Sequence, residues 1–212
     1  MIDHGELVIF GAGGHAAVVA DAAVAAGFVL AGVLDARRPG ADGQPPFGGV
    51  PWLGDPDDPL PALGDLLDRG AFVHAAVGDP AARRRWLDPR IQAATAIIHP
   101  SAIVSPSARI EPGAFIGPRA VVNARATIEI GAIVNTGVIV EHDAVVGRYA
   151  HAAPGSILLG ATRVGDGAMV GGGAVVLPGV EIGAEATLGA GAVATIAVPP
   201  EATAIGVPAR VR

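Results

Sequence analysis

His142 stands between Glu141 and Asp143, and this trio is the arrangement in the chain best suited to moving protons. An imidazole can take up a proton near neutrality, and an adjacent carboxylate stabilises the imidazolium that results. A second histidine, His151, closes a polar run that begins at Asn135, inside a stretch otherwise made of glycine and aliphatic residues. A lone surface histidine is ordinarily inert, and metal ligation is the competing chemistry for a pair. General-base catalysis by His142, with Asp143 as its carboxylate partner, is the catalytic reading these residue types allow, beside that of a solvated surface pair. Cysteine is absent, which removes thiolate nucleophiles, thiolate metal sites and disulfides.

A six-residue repeat must position these side chains. From Ile98 to Ala194 every sixth residue is aliphatic, seventeen in one unbroken register. The residue four places after each is small: Ala102, Ala108, Ala114 and so on, with Ser156 and Thr162 in the same slot. Six is neither the 3.6 of a helix nor the 2 of a strand, and it predicts a short strand plus a corner, repeated. Such hexapeptides build a parallel β-helix, each unit burying its aliphatic residue only by stacking on its neighbours. Three units make an eighteen-residue coil with an aliphatic interior, so chemistry belongs on the outside. Ser156 is expected to be structural.

His142 and His151 are nine residues apart, half a coil, and therefore on different sides of the prism. At ~3.3 Å per residue they are separated by about 15 Å, too far to share a metal or a proton within one chain. They can converge only where one side of a prism docks on a different side of a neighbouring copy, as in a cyclic assembly.

Ahead of the repeat, Leu7 to Phe10 reads as a buried strand, Ala16 to Ala26 as a helix and Val29 to Leu34 as a second strand. Between the first two lies Gly11-Ala-Gly13-Gly14-His15, and Asp35 follows the second strand, a pattern that fits the dinucleotide fingerprint. Glycines there let backbone N–H groups approach phosphates at a helix N-terminus, although the same turn can be merely tight. Half of a full dinucleotide-binding sheet is missing, which disfavours an NAD enzyme. The segment 37–61 is rich in Gly, Pro and Asp and reads as irregular. A helix follows from Pro61 to Arg69, then a strand from Ala71 to Val77 that ends at Gly78-Asp79. A helix opened by Pro80 carries Arg83, Arg84 and Arg85, the last two expected on a solvated face. His74 is expected to be packed in the core.

The expected organisation is a domain over 1–95, the β-helix over 96–197 and an irregular cap over 198–212. The net charge is −6 with no lysine and no broad basic face, which argues against nucleic acid as a partner. Asp3 and Glu6 precede the first apolar run, unlike a signal peptide, and no stretch is long enough to span a bilayer. A cytoplasmic location is expected.

The chain resembles the bacterial N-acetyltransferases of nucleotide-linked 4-amino sugars and the related sialic acid O-acetyltransferases. The resemblance rests on Gly11 to His15, Leu34-Asp35, Ala76 to Gly78, His99 to Ala102, Asn135-Thr136, Glu141 to Asp143, His151, Val176 to Pro178 and Gly206 to Arg210. It implies a Rossmann-like domain followed by a left-handed β-helix, a homotrimer, and acetyl-CoA as co-substrate lying between neighbouring prisms, with no metal. His142 matches the general base, and Asp143 the acidic residue, often Glu, that raises its basicity. His151, Gly172 and Ala190 match positions contacting acetyl-CoA. Gly13, Gly14, His15, Asp35 and Gly78 match positions lining the nucleotide-sugar pocket, with Arg83 and Asn135 as additions. Some relatives carry a second acidic residue after Asp35, where this chain has Ala36. Hydroxyl acetylation of a sugar and non-catalytic binding of a nucleotide sugar are the alternative functions.

Overall fold

The computed structural model describes residues 4–37, 47 and 49–212. Asp3 and part of the stretch expected to be irregular, 38–46 and 48, lie outside the described residues. The chain divides into two compact units, Met1–Pro100 and Ser101–Arg212.

In the first unit, β1 (Glu6–Phe10), α1 (Gly14–Ala26) and β2 (Val29–Leu34) form the expected βαβ start. The hairpin β3 (Gly54–Asp55) and β4 (Asp58–Pro59), helix α2 (Ala62–Asp68), β5 (Phe72–Ala75) and α3 (Pro80–Leu87) follow. The sheet is parallel, in the order β2-β1-β5. Leu7 to Phe10 are at most 1% exposed, as a central strand covered on both faces must be. Single bridges extend both edges, Val33 to Trp52 on one side and Val73 to Ala94 on the other. Because the strands are parallel, the ends of β1, β2 and β5 lie along one edge, where open α/β sheets bind ligands. Helix α1 begins two residues before the expected Ala16, with Gly13 as its N-cap and Gly27 in the left-handed region closing it. His74 is 1% exposed inside β5, its Nδ1 3.2 Å from the carbonyl oxygen of Thr95.

The second unit is a β-solenoid of three parallel sheets in which each strand pairs with the one eighteen residues away, as Val121 does with Ile139 and Ile133 with His151. The first face runs from Ile103–Val104 to Val193–Ala194 and the second from Arg109–Ile110 to Glu181–Ile182. The third runs from Phe115–Ile116 to Thr187–Leu188. The second residue of each strand points inward, and from Ile116 to Ala194 these are at most 1% exposed. Burying one such side chain contributes ~1.5–3 kcal/mol, which is why the register is held so strictly.

Corners need a residue in the left-handed region, and it falls three places after each interior aliphatic, at every sixth position from Gly113 to Gly191. Glycine fills it most often, but Arg125, Asp143 and Tyr149 are among the exceptions. The tail is more regular than the expected cap. Thr203–Ile205 adds a parallel strand to the third face and Arg210–Val211 pairs antiparallel to it. Its register is Thr187 to Thr203, sixteen residues instead of eighteen, because the hexapeptide count stops at Ala194 and Pro199-Pro200 turns the chain early.

Candidate active site

The corner after Ile139–Val140 presents His142 and Asp143 to solvent. Asp143 sits in the left-handed region (φ 61°), a conformation that aspartate tolerates better than most residues. His142 Nδ1 lies 2.8 Å from Asp143 Oδ2. An ionised carboxylate can only accept, so Nδ1 carries the proton and the lone pair is on Nε2. A base pointing away from its orienting carboxylate is thereby formed by two consecutive residues. The Glu141 carboxylate accepts a 3.3 Å bond from the His142 backbone N–H.

Two neighbours of this pair were not apparent from the sequence read in order. Arg125, one coil earlier, grips Asp143 with two bonds, Nε to Oδ1 at 2.7 Å and Nη2 to Oδ2 at 2.8 Å. The guanidinium, and after it His142, hold the Asp143 carboxyl well below the usual carboxylate range. One coil later lies Gly160, where a Cβ would come within 2.8 Å of both Cε1 and Nε2 of His142. Arg125, Asp143 and Ala161 form one column at this corner, and Ala124, His142 and Gly160 another. A stride of eighteen along the sequence finds both.

His151 faces outward on the third face, half a coil from His142 and with different partners. Its Nε2 is 3.1 Å from Asn135 Nδ2. The Thr136 backbone N–H donates to Asn135 Oδ1 at 2.8 Å, so the amide group faces the imidazole and Nε2 is the acceptor. The proton of a neutral His151 is therefore on Nδ1. Asn135, expected to bind the acceptor, is hydrogen-bonded to a residue matched to acetyl-CoA. Gly172 and Ala190 stack at the corner that follows the third face, one and two coils beyond Pro154. His151, Gly172 and Ala190 thus follow one edge of the solenoid.

In the first unit the remaining candidates gather at the carboxyl edge of the sheet. Gly13, Gly14 and His15 open α1; Asp35 follows β2; Gly78 follows β5. Asp35 Oδ2 accepts from Ala12 N–H at 2.7 Å and Oδ1 from Arg37 N–H at 2.8 Å, tying the glycine turn to the end of β2. Gly11 is glycine for the fold: its φ is +113° and a Cβ would meet Val77 Cγ1 at 2.7 Å. Gly13, Gly14 and Gly78 have no such reason, since their φ values are ordinary and a Cβ would meet nothing within 4 Å. The surface they leave bare suits a ligand brought against backbone at the head of a thirteen-residue helix.

Arg83, expected to face the ligand, is 1% exposed and donates from Nη1 to the carbonyls of Val77 (2.8 Å) and Gly78 (2.7 Å). A buried guanidinium is tolerable only with its donors engaged, so it shapes the end of β5 from within. Burial, and then Arg83, lower His15 to about 4, which leaves its ring neutral near pH 7. Arg84 and Arg85 are exposed as expected, with Arg85 2.8 Å from Asp57. Among the described residues no cluster of His, Asp and Glu could hold a metal.

The chain matches the family model described as PglD N-terminal domain over residues 6–89, and that described as bacterial transferase hexapeptide over residues 161–195. It is similar to PerB from Caulobacter crescentus, solved with CoA and GDP-perosamine: 39% identity, 99% of this chain and 98% of that one, TM-score 0.86. It is also similar to the acetyltransferase domain of PglB from Neisseria gonorrhoeae in complex with acetyl coenzyme A: 34% identity, 98% of each chain, TM-score 0.86. WeeI from Acinetobacter baumannii, at 24% identity, shares the fold over 98% of this chain and 100% of that one with a TM-score of 0.74. No curated protein sequence matches.

Proposed function

The chain belongs to the hexapeptide-repeat acetyltransferases that carry a PglD-type N-terminal domain, and from that membership we propose that it acetylates the amine of a nucleotide-linked 4-amino sugar, using acetyl-CoA. The observation that carries this reading is the His142–Asp143 pair, with Nε2 left as a base, on a chain similar along its whole length to an enzyme solved with CoA and GDP-perosamine. As the amine attacks the thioester carbonyl, His142 Nε2 takes its proton while Nδ1–H stays bound to Asp143. Collapse of the tetrahedral adduct expels the CoA thiolate, to which the imidazolium returns the proton. Base assistance of this kind contributes roughly 10²–10⁴ in rate, and holding two large substrates together supplies much of the rest.

The glycine turn, with Gly13, Gly14, His15, Asp35 and Gly78, binds the nucleotide sugar, and His151, Gly172 and Ala190 bind acetyl-CoA. The working form is a homotrimer. Its support is the first face of the solenoid, whose outward residues are all aliphatic: Ile103, Val121, Ile139, Ile157, Val175 and Val193. A continuous apolar ladder of this kind is an association surface. It is bounded on one side by the corner of Gly172 and Ala190 and on the other by the corner of His142. Among the described residues no helix is long and apolar enough to cross a membrane. The acetyl-CoA requirement suits a cytoplasmic enzyme.

CoA release should be followed with acetyl-CoA and GDP-, UDP- or dTDP-linked 4-amino sugars, with sugars offering only hydroxyls as the contrast. Turnover is expected with an amino sugar, and His142→Ala should lower kcat at least ~tenfold while sparing acetyl-CoA affinity. Turnover with hydroxyl acceptors alone would overturn the amine assignment. Unchanged kcat in a folded His142→Ala enzyme would remove it as base.

A further inference from the structure

We infer that Arg125 is a positioning residue of the active site, fixing the Asp143 carboxylate so that His142 is held in one tautomer and one orientation. The inference rests on His142 being the base. A carboxylate in solvent, as Asp143 is, rotates freely about its side-chain torsions and can leave an exposed imidazole. Here both of its oxygens are engaged by the planar fork of one guanidinium, at 2.7 and 2.8 Å, while Oδ2 also accepts from His142 Nδ1 at 2.8 Å. Two parallel bonds define the carboxylate plane, which a single point charge does not.

The guanidinium is itself placed by the solenoid. Arg125 occupies the same left-handed corner position as Asp143, one coil earlier, with φ 59° against 61°. Its backbone N–H donates to Ser107 Oγ at 3.2 Å, a further coil back. Ser107, Arg125 and Asp143 therefore rise along one corner, each supporting the next. The charged groups bonded to His142 or to its partner are Arg125 from the preceding coil and Asp143 and Glu141 from its own; at the equivalent corner of the following coil stand Gly160 and Ala161.

In the single chain the pair is exposed, at 64% for the Arg125 side chain and 39% for that of Asp143, so it adds little to the stability of the chain's own fold. That separates this role from a structural one. Arg125→Gln should leave the melting temperature and the mass of the assembly unchanged, leave KM for acetyl-CoA near its starting value and lower kcat roughly fivefold or more. Arg125→Lys, which keeps the charge without the fork, should fall between the two and can replace Gln should that variant fold poorly.

The deciding measurement is a double-mutant cycle with Asp143→Asn, with His142→Ala run beside it. Acting through Asp143, the Arg125 substitution should cost less than about twofold once Asp143 is Asn. The same loss in both backgrounds, or no loss of kcat in Arg125→Gln alone, would overturn the inference. Full activity in His142→Ala would instead sink the assignment of the base, a separate and distinguishable failure.

Discussion

A methyl group on Gly160 would sit 2.8 Å from the atom that is to accept the substrate's proton. The φ of Gly160 is ordinary, so nothing in the backbone asks for glycine; the imidazole edge does. Gly160→Ala should therefore fold and melt like the parent while displacing the ring, with kcat down roughly tenfold. Steady-state kinetics beside a thermal melt would test this, and an unchanged kcat would show that His142 reaches its working position from elsewhere. Arg125 and Gly160 escape a reading along the chain because each is eighteen residues from its partner and unremarkable among its own neighbours. His142 and Asp143 were legible because they are adjacent. For Arg83 the sequence showed only an arginine at the ligand edge of a sheet; its burial and its bonds to the Val77 and Gly78 carbonyls could not be read from it.

Each element of the solenoid was legible because one interior slot recurs with the same demand, and the left-handed corner could have been read too from the glycines at every sixth place. The tail was not legible, since a sixteen-residue register repeats only once and leaves no period to see. The small-residue slot has its own test. Ser156 and Thr162 are wholly buried there, and neither hydroxyl has a hydrogen-bond partner. Most equivalent positions are alanine or valine, so Ser156→Ala and Thr162→Val should each stabilise the protein by about 1 kcal/mol, read as a rise in melting temperature. A fall would mean that the hydroxyls are satisfied in solution.

In the first unit, β5 carries a pH dependence. Burial is the main cause that lowers His74 to about 4, opposed by its bond to the Thr95 carbonyl and reinforced by His15 and Arg83. The unfolded chain takes up this proton near 6.5 and the folded one only near 4. The stability tied to neutral His74 is therefore complete above ~6.5 and is lost as the pH falls toward 4, by about 2 kcal/mol at pH 5. Melts across that window should show the loss; His15, also lowered to about 4, adds a dependence of the same sign, so His74→Gln should reduce the slope without abolishing it. An equal slope in the variant would assign the acid sensitivity to other groups.

At the scale of the whole molecule, half a coil separates the two histidines that the proposed site would unite. His142 and His151 have different partners, Asp143 for one and Asn135 for the other, and they lie on different sides of the same solenoid. The aliphatic first face lies between the corner that carries His142 and the edge that carries His151, Gly172 and Ala190. In the proposed ring, a copy seated on that face brings the His142 corner of one chain toward the acetyl-CoA edge of the next. Every active site would then need two chains, and loss of either histidine could be supplied in trans. His142→Ala and His151→Ala enzymes, each inactive or weakened alone, should be mixed, denatured and refolded together. Mixed trimers contain interfaces in which one chain retains His142 and its neighbour retains His151. Activity above the sum of the two variants refolded separately is the expected outcome. Mixed trimers verified by mass that show no such gain would place both histidines' contributions within a single chain, and the apolar face would need a different explanation.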